Sequence, residues 1–230
     1  MGTFQGAGAI SRELLPLFFG RVGLFRNQPG DKVLARADVV LTIGYELVEY
    51  DPSFWNVGKA RAIIHLDSYP CDVDNRYEPE LELRGAIPET VCALASALEE
   101  HSFAAGPESQ AIQAEWNALR NPPVPKSNGS VHPLSIVLAL RSLVDDDTVV
   151  ANDMGSVHIW MARHFFAFEP GKLLFSNGQQ TLGVGIPWAM VASGAIWLIT
   201  RIHAQTYSVS REDDLLGGMW AVVATLFVQR

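Results

Sequence analysis

The sequence predicts an α/β fold in which the strands of parallel sheets alternate with helices. Continuous apolar runs, which a sheet covered on both faces requires, occur at Val39–Gly44, Ala62–Asp67, Thr148–Asn152 and Leu173–Phe175. Segments with helical periodicity lie between these runs. Strands that alternate with helices along a chain are typical of the α/β class.

Three helical segments connect the predicted strands. Asp31–Ala37 opens with an Asp suited to capping a helix N-terminus. Ile87–His101 has Pro88 in its first turn and an apolar residue at nearly every third or fourth position. Pro133–Val144 has the same periodicity. Each segment is therefore expected to pack one apolar face against a sheet.

The composition excludes two broad classes of protein. Hydrophobic residues make up 48% of the chain and charged residues 18%, so the chain can bury enough apolar surface to fold and is not intrinsically disordered. The formal net charge is −8 and no stretch is rich in Lys and Arg, so a nucleic-acid partner is not expected.

Targeting and cysteine signals favour a reduced, cytoplasmic protein. Cys71 and Cys92 form neither a CxxC nor a metal-binding spacing, and nothing supports a disulfide between them. The N-terminus lacks the basic and apolar regions of a secretory signal. Gly183–Thr200 is largely apolar, but Gln180 and Pro187 favour a buried loop and helix over a membrane span.

A proline-rich stretch divides the chain. Residues 121–133 read NPPVPKSNGSVHP, which can continue neither a helix nor a central strand. We expect a first domain over residues 1–120, a linker over 121–132 and a second domain over 133–192. After residue 193 clear turn signals disappear, so residues 193–230 are expected to form a divergent tail.

Two glycine-bearing corners follow strands of the second domain. After Thr148–Asn152, the turn Asp153–Gly155 leads to a helix that begins near Ser156, an arrangement suited to binding phosphate. Ser156 could instead serve only as a helix cap. Residues 176–187, SNGQQTLGVGIP, form a second corner of this kind. Both corners are expected to face a common crevice at the carboxyl edge of the sheet.

The glycines of the second corner allow two interpretations. Gly178, Gly183 and Gly185 permit the close approach of backbone to a ligand or to another helix. For Gly183 and Gly185, packing between helix and sheet is the alternative.

The two corner segments together resemble a known family. SNGQQTLGVGIPWAM and NDMGSVHIWMAR resemble the cofactor-binding domain of thiamine-diphosphate-dependent acetolactate synthases. TFQGAGAIS, GRVGLFRNQPGDKVLARADVVLTIGYELVEYDP and IIHLDSYP resemble the middle domain of the catabolic, flavin-independent branch. The resemblance covers roughly Gly2 to Ala192. It implies a Rossmann-like middle domain followed by a partial thiamine-diphosphate-binding α/β domain.

The resemblance implies an activity and a set of site residues. Such enzymes condense two pyruvates into 2-acetolactate and carbon dioxide through the ylid of thiamine diphosphate, on the route to acetoin. The diphosphate would lie against Gly155 and Ser156, and Gln180 would lie beside the cofactor. Leu182 stands where the family usually has a Met that bends the cofactor, and Met154 would pack near the pyrimidine.

The metal and flavin signals of the family differ here. The resemblance implies Mg2+, held by a GDG motif after an SVS strand, but Ser208–Ser210 is followed by REDD. Neither Asp213 nor Asp214 is assigned as a magnesium ligand, so the metal ligands stay unknown. YELVEY follows the first predicted strand where the flavin-containing branch has an Arg-bearing segment, so no FAD is expected.

Two further departures bear on activity. The family's catalytic Glu belongs to an N-terminal domain with no counterpart here, so no catalytic residue is assigned and the chain alone is expected to be an inactive fragment. From Gly194 onward the sequence does not resemble the family.

The family resemblance also implies a homo-oligomer. Two alternatives stay open: another thiamine-diphosphate decarboxylase or carboligase, and a non-catalytic module that docks on an intact synthase.

Overall fold

The predicted α/β class is confirmed, because the strands form two parallel sheets and helices lie between them along the chain. The structure, a computed structural model, describes residues 1–23, 28–58, 61–102, 107–120, 122–124, 129–176, 181–207 and 222–225. The chain divides into two compact units. The first unit comprises Met1 and residues 18–121, and the second comprises residues 2–17 and 122–230.

The first unit contains a parallel sheet with the strand order β1-β2-β3. Its elements in chain order are α1 (Pro29–Arg36), β1 (Val39–Ile43), α2 (Pro52–Trp55), β2 (Ala62–Asp67), β3 (Leu81–Arg84), α3 (Ile87–Leu98) and α4 (Pro107–Arg120). In the strand register, Leu41 lies opposite Ile64, which lies opposite Leu81. The core is a cluster of apolar and aromatic side chains: Val22, Leu34, Tyr50, Trp55, Ile63 and Tyr77.

The first two predicted elements differ from the structure in detail. Helix α1 begins at Pro29, two residues before the predicted start, because Pro suits the first helical turn and the Asp31 carboxylate accepts the Gln28 N–H over 2.8 Å. Strand β1 was expected to be covered on both faces. Instead Val39, Leu41 and Ile43 are 40–56% exposed in the described structure.

The second unit contains a parallel sheet with the order β5-β4-β6. Its elements are a 3-10 turn (Leu15–Leu17), α5 (Pro133–Leu143), β4 (Val149–Asn152), α6 (Ser156–His164), β5 (Leu173–Phe175), α7 (Gly185–Tyr207) and β6 (Val222–Thr225). Three of the four residues of the central strand β4 are buried. The core cluster contains Val137, Val150, Val157, Met161, Phe165, Ala167 and Leu173.

Residues 2–17 pack in the second unit, whereas the position of the proline-rich stretch predicts that they belong to a domain over residues 1–120. The Arg12 guanidinium binds the Asp146 carboxylate over 2.6 Å and lies 4.1 Å from the centre of the Phe168 ring. Arg141 binds the same carboxylate over 2.7 Å. Hydrogen bonding from Arg12, opposed by partial burial, holds the pKa of Asp146 below its usual value. Contacts between residues distant in sequence thus decide where this segment packs.

None of the helices within the described ranges combines the length and apolarity that crossing a membrane requires. This finding includes α7, which contains most of the apolar stretch Gly183–Thr200.

Stability is expected to fall as the pH drops from about 6.5 to about 4, in part because of His164. Burial, aided by neighbouring Arg163, lowers the pKa of His164 to about 4. In this window the unfolded chain binds a proton at this site that the folded chain does not, so acid favours unfolding. Urea unfolding at several pH values between about 4 and 6.5 measures the slope of the free energy of unfolding against pH. His164→Gln should make it shallower, and an unchanged slope in this variant would contradict the assignment.

Candidate functional site

The first corner joins the buried end of β4 to the start of α6. Gly155, the residue before the helix, has φ of 126° and ψ of −167°. Only glycine adopts this conformation readily. An added Cβ would meet no heavy atom of the described residues within 4 Å, so conformation rather than crowding by these residues favours glycine here. The backbone is therefore shaped to leave open space beside the start of the helix.

The start of α6 has no side-chain cap, because its N-cap residue is a glycine. Both Gly155 and Ser156 are exposed. The first N–H groups of a helix lack partners within the helix, and the helix dipole places partial positive charge there. Their exposure, together with the open space at Gly155, fits a bound diphosphate.

The second corner is tied to the first by one carboxylate. Asp153 Oδ1 accepts the Met154 N–H over 2.7 Å and the Gly183 N–H over 2.9 Å. Asp153 Oδ2 accepts the Gly185 N–H over 3.2 Å at the start of α7. Strands β4 and β5 are parallel neighbours, with Asn152 opposite Phe175. The two corners therefore meet at the carboxyl edge of the sheet.

The charge on Asp153 is stabilised by these backbone donors. Partial burial raises the pKa of Asp153, but hydrogen bonds from Gly183, Met154, Gly185 and Val184 outweigh it and lower the pKa overall. The carboxylate is thus ionised at neutral pH. Because both oxygens accept backbone N–H groups, Asp153 is already engaged within the protein.

Glycine is favoured at positions 183 and 185 of the second corner for two different reasons. Gly183 has a φ of +86°, and an added Cβ there would meet no heavy atom of the described residues within 4 Å, so its conformation favours glycine. At Gly185 an added Cβ would lie 3.1 Å from the Asp153 Cβ, so the neighbouring atoms would have to shift by a few tenths of an ångström. Conformation thus favours glycine at position 183, whereas close packing of the α7 start against the end of β4 favours it at position 185.

The structure brings four of the five predicted site residues to these corners. Met154 is half-buried beside Gly155 and Ser156 in the first corner. Leu182 directly precedes Gly183 in the second corner, and its side chain is 73% exposed. Gln180 lies outside the described residues, as do Ser208–Ser210, Asp213 and Asp214.

Sequence reasoning missed three polar residues at the first corner. Besides Asp153, they are Asn152 and His158, both buried. The Asn152 amide lies 3.3 Å from His158 Nδ1, and the His158 ring packs on Phe175 with centroids 4.9 Å apart. Burial lowers the pKa of His158, which favours the neutral imidazole. The pair links the end of β4 to the first turn of α6. An Asp directly after a strand and before a Gly turn is the one signal that could have indicated Asp153.

No group of three or more His, Cys, Asp or Glu side chains within the described part of the chain could hold a metal ion. The magnesium ligands that the family resemblance implies are therefore not assigned from the geometry.

Two stretches of the chain match known domain families. Residues 1–94 match the central domain of thiamine pyrophosphate enzymes, and residues 153–209 match the C-terminal TPP-binding domain. Together the matches cover about two thirds of the chain, and both corners lie in the second. The chain belongs to the thiamine pyrophosphate enzymes. The match extends to residue 209, so the expectation that the family resemblance ends at Gly194 is wrong.

Within this family the chain is similar to acetolactate synthases. It is 46% identical over 203 residues to the acetolactate synthase of Bacillus subtilis, across 83% of this chain and 34% of the relative. It is 40% identical over 216 residues to the catabolic acetolactate synthase of Raoultella terrigena, across 92% of this chain and 37% of the relative. A pyruvate oxidase of Lactiplantibacillus plantarum is 25% identical over 195 residues, across 84% of this chain and 32% of the relative. The chain spans about a third of the length of these relatives.

Proposed function

We propose that this chain supplies cofactor-binding structure to an acetolactate synthase, which condenses two pyruvates into 2-acetolactate and carbon dioxide. The uncapped start of α6 at Gly155, joined through Asp153 to the Gly183 corner, carries the proposal. Similarity to acetolactate synthases at 40–46% identity supports the choice of reaction. Most of residues 1–120 would form the middle domain and 121–132 the linker, and the cofactor-binding part would begin at residue 133 and include the stretch that matches its family up to residue 209.

In this proposal the first corner holds the diphosphate of the cofactor. The N–H groups of Gly155 and Ser156 would donate to the diphosphate oxygens, and the α6 dipole would stabilise their negative charge. The open space beside Gly155 admits an oxygen close to the backbone. The bound cofactor supplies the electron sink that makes decarboxylation of pyruvate possible.

The remaining contacts would orient the cofactor rings. Leu182 is apolar, exposed and at the second corner, so it is suited to support the bent cofactor where the family usually has Met. Met154 would pack against the pyrimidine, and Gln180 would lie beside the cofactor. The apolar side chains of Leu182 and Met154 would exclude water from the ring faces, and the diphosphate would bind at the α6 start.

We further propose that Mg2+ accompanies the diphosphate, since a divalent cation neutralises phosphate charge. Asp153 is a poor candidate ligand because its two oxygens already accept backbone N–H groups. The proposed enzyme acts in the cytoplasm, and its product leads to acetoin. The proposed enzyme uses no flavin cofactor.

We propose that the enzyme is a homo-oligomer and that α7 contributes to the subunit contact. Several large apolar side chains of this helix are 43–71% exposed: Ile186, Met190, Val191, Trp197 and Leu198. Exposed apolar surface of this kind is typical of protein interfaces.

Product analysis tests the proposed reaction against a simple decarboxylase. In a hybrid, residues 1–192 replace the aligned segment of the Bacillus subtilis acetolactate synthase, and the hybrid receives pyruvate, thiamine diphosphate and Mg2+. We expect acetolactate, detected as acetoin after acid treatment, to form only when the cofactor is present. A folded hybrid that binds the cofactor and releases acetaldehyde instead would contradict the proposed reaction.

A further inference from the structure

We infer that Asp153 is a positioning residue that sets the spacing between the two corners of the cofactor site. The inference rests on the proposed function, because it concerns how this chain orients the cofactor proposed above. Asp153 would not contact the reacting atoms. It would act through Met154 on one side and Leu182 on the other.

The geometry of the carboxylate is the first support. One oxygen, Oδ1, accepts an N–H from each corner, over 2.7 Å from Met154 and 2.9 Å from Gly183. The other oxygen accepts the Gly185 N–H over 3.2 Å. Bonds to an ionised acceptor are stronger than bonds between neutral groups. The backbones on either side of the site are thus held by a single side chain.

The close approach of Gly185 is an independent second support. An added Cβ at Gly185 would lie 3.1 Å from the Asp153 Cβ and 3.3 Å from Oδ2. The α7 start reaches the carboxylate at this distance because residue 185 has no side chain. An alanine there would make the Asp153 side chain or the α7 start shift by a few tenths of an ångström, without removing any hydrogen-bonding atom.

The Asp153 carboxylate, which bridges the two corners, is expected to affect binding of the whole cofactor and binding of a diphosphate alone to different extents. The α6 start needs only the first corner to bind a phosphate group, because its donors are Gly155 and Ser156. Met154 and Leu182 each adjoin a backbone N–H that Asp153 holds, so the carboxylate fixes their separation. Loss of the bridge should therefore weaken binding of the whole cofactor more than binding of a diphosphate alone.

The Asp153→Asn variant tests this difference. Asn keeps the shape and can accept through one oxygen, but its NH2 group faces an N–H where Asp153 offers a second oxygen. Calorimetry with the chain and Mg2+ should show thiamine diphosphate affinity falling about tenfold. Affinity for inorganic pyrophosphate should change less than about twofold. Gly185→Ala should give the same pattern, and Asp147→Asn, on an exposed residue, should change neither affinity.

Three outcomes would overturn the inference, and they separate it from the proposed function. Equal losses for both ligands in Asp153→Asn would indicate a general structural role. Unchanged affinities for both would show that the bridge does not orient the cofactor. If the wild-type chain binds neither ligand, the proposed site itself fails, and the inference fails with it. Urea unfolding of each variant shows that the affinities are measured on folded protein.

Discussion

Replacing Phe165 with alanine is expected to lower the free energy of unfolding of the second unit by about 3–5 kcal/mol. Phe165 directly follows α6, is 1% exposed and belongs to the core cluster with Val150 and Met161. The Arg141 guanidinium also lies 5.1 Å from the centre of its ring. Truncation leaves a cavity and removes this cation–π contact. A loss of this size is a large fraction of the stability of an ordinary domain, about 5–15 kcal/mol.

Urea unfolding followed by far-ultraviolet circular dichroism measures this loss. Leu143→Ala is the matched control, because Leu143 is an apolar residue of the same unit that is 82% exposed. We expect that control to stay within about 0.5 kcal/mol of the wild type. Equal unfolding free energies for Phe165→Ala and the wild type would contradict the described core.

Replacing Gly155 with alanine is expected to impair both stability and cofactor binding. The φ of 126° and ψ of −167° at this residue cost a side chain on the order of 1–3 kcal/mol. A relaxed backbone would rotate the N–H groups at the start of α6 away from the diphosphate. Thiamine diphosphate affinity, measured by calorimetry with Mg2+, should fall more than about tenfold.

The control variant Gly171→Ala distinguishes the effect of backbone strain on stability from the effect of losing the cofactor site on affinity. Gly171 has a φ of +74° and open space beside it, but it lies outside both corners. Its alanine variant should lose stability to a similar extent and keep the wild-type cofactor affinity. The role given to Gly155 is wrong if Gly155→Ala binds thiamine diphosphate as tightly as the wild type.

Strands with a continuous apolar run were predictable from the sequence, whether buried or partly exposed, and strand β3, which has no such run, was not. The apolar runs of β2 and β4 are continuous because strands covered on both faces of a parallel sheet bury nearly all their side chains. Strand β3 has the sequence LELR, and three of its four residues are exposed. Strand β3 is an edge strand of the β1-β2-β3 sheet, where charged side chains reach solvent. It therefore has no apolar run that would predict a strand.

The first corner of the candidate site was predictable because its strand, turn and helix lie in one short segment of the sequence. Gly155 and Ser156 follow a strand and open a helix, which is a local pattern. Asp153 was missed because its hydrogen-bond partners Gly183 and Gly185 lie about thirty residues further along the chain. The packing of residues 2–17 in the second unit depends on an even longer contact, from Arg12 to Asp146. Local patterns contain no information about partners at such separations.

Backbone amide NMR of the isotope-labelled chain tests the central claim most directly, because it locates the bound diphosphate. Thiamine diphosphate is added in the presence of Mg2+, and the amide shifts are followed residue by residue. We predict the largest changes at Gly155, Ser156 and Val157, with smaller ones at Gly183 and Gly185, whereas thiamine without its diphosphate leaves the first three unchanged. Saturable binding that leaves the Gly155 and Ser156 amides unshifted would contradict the account.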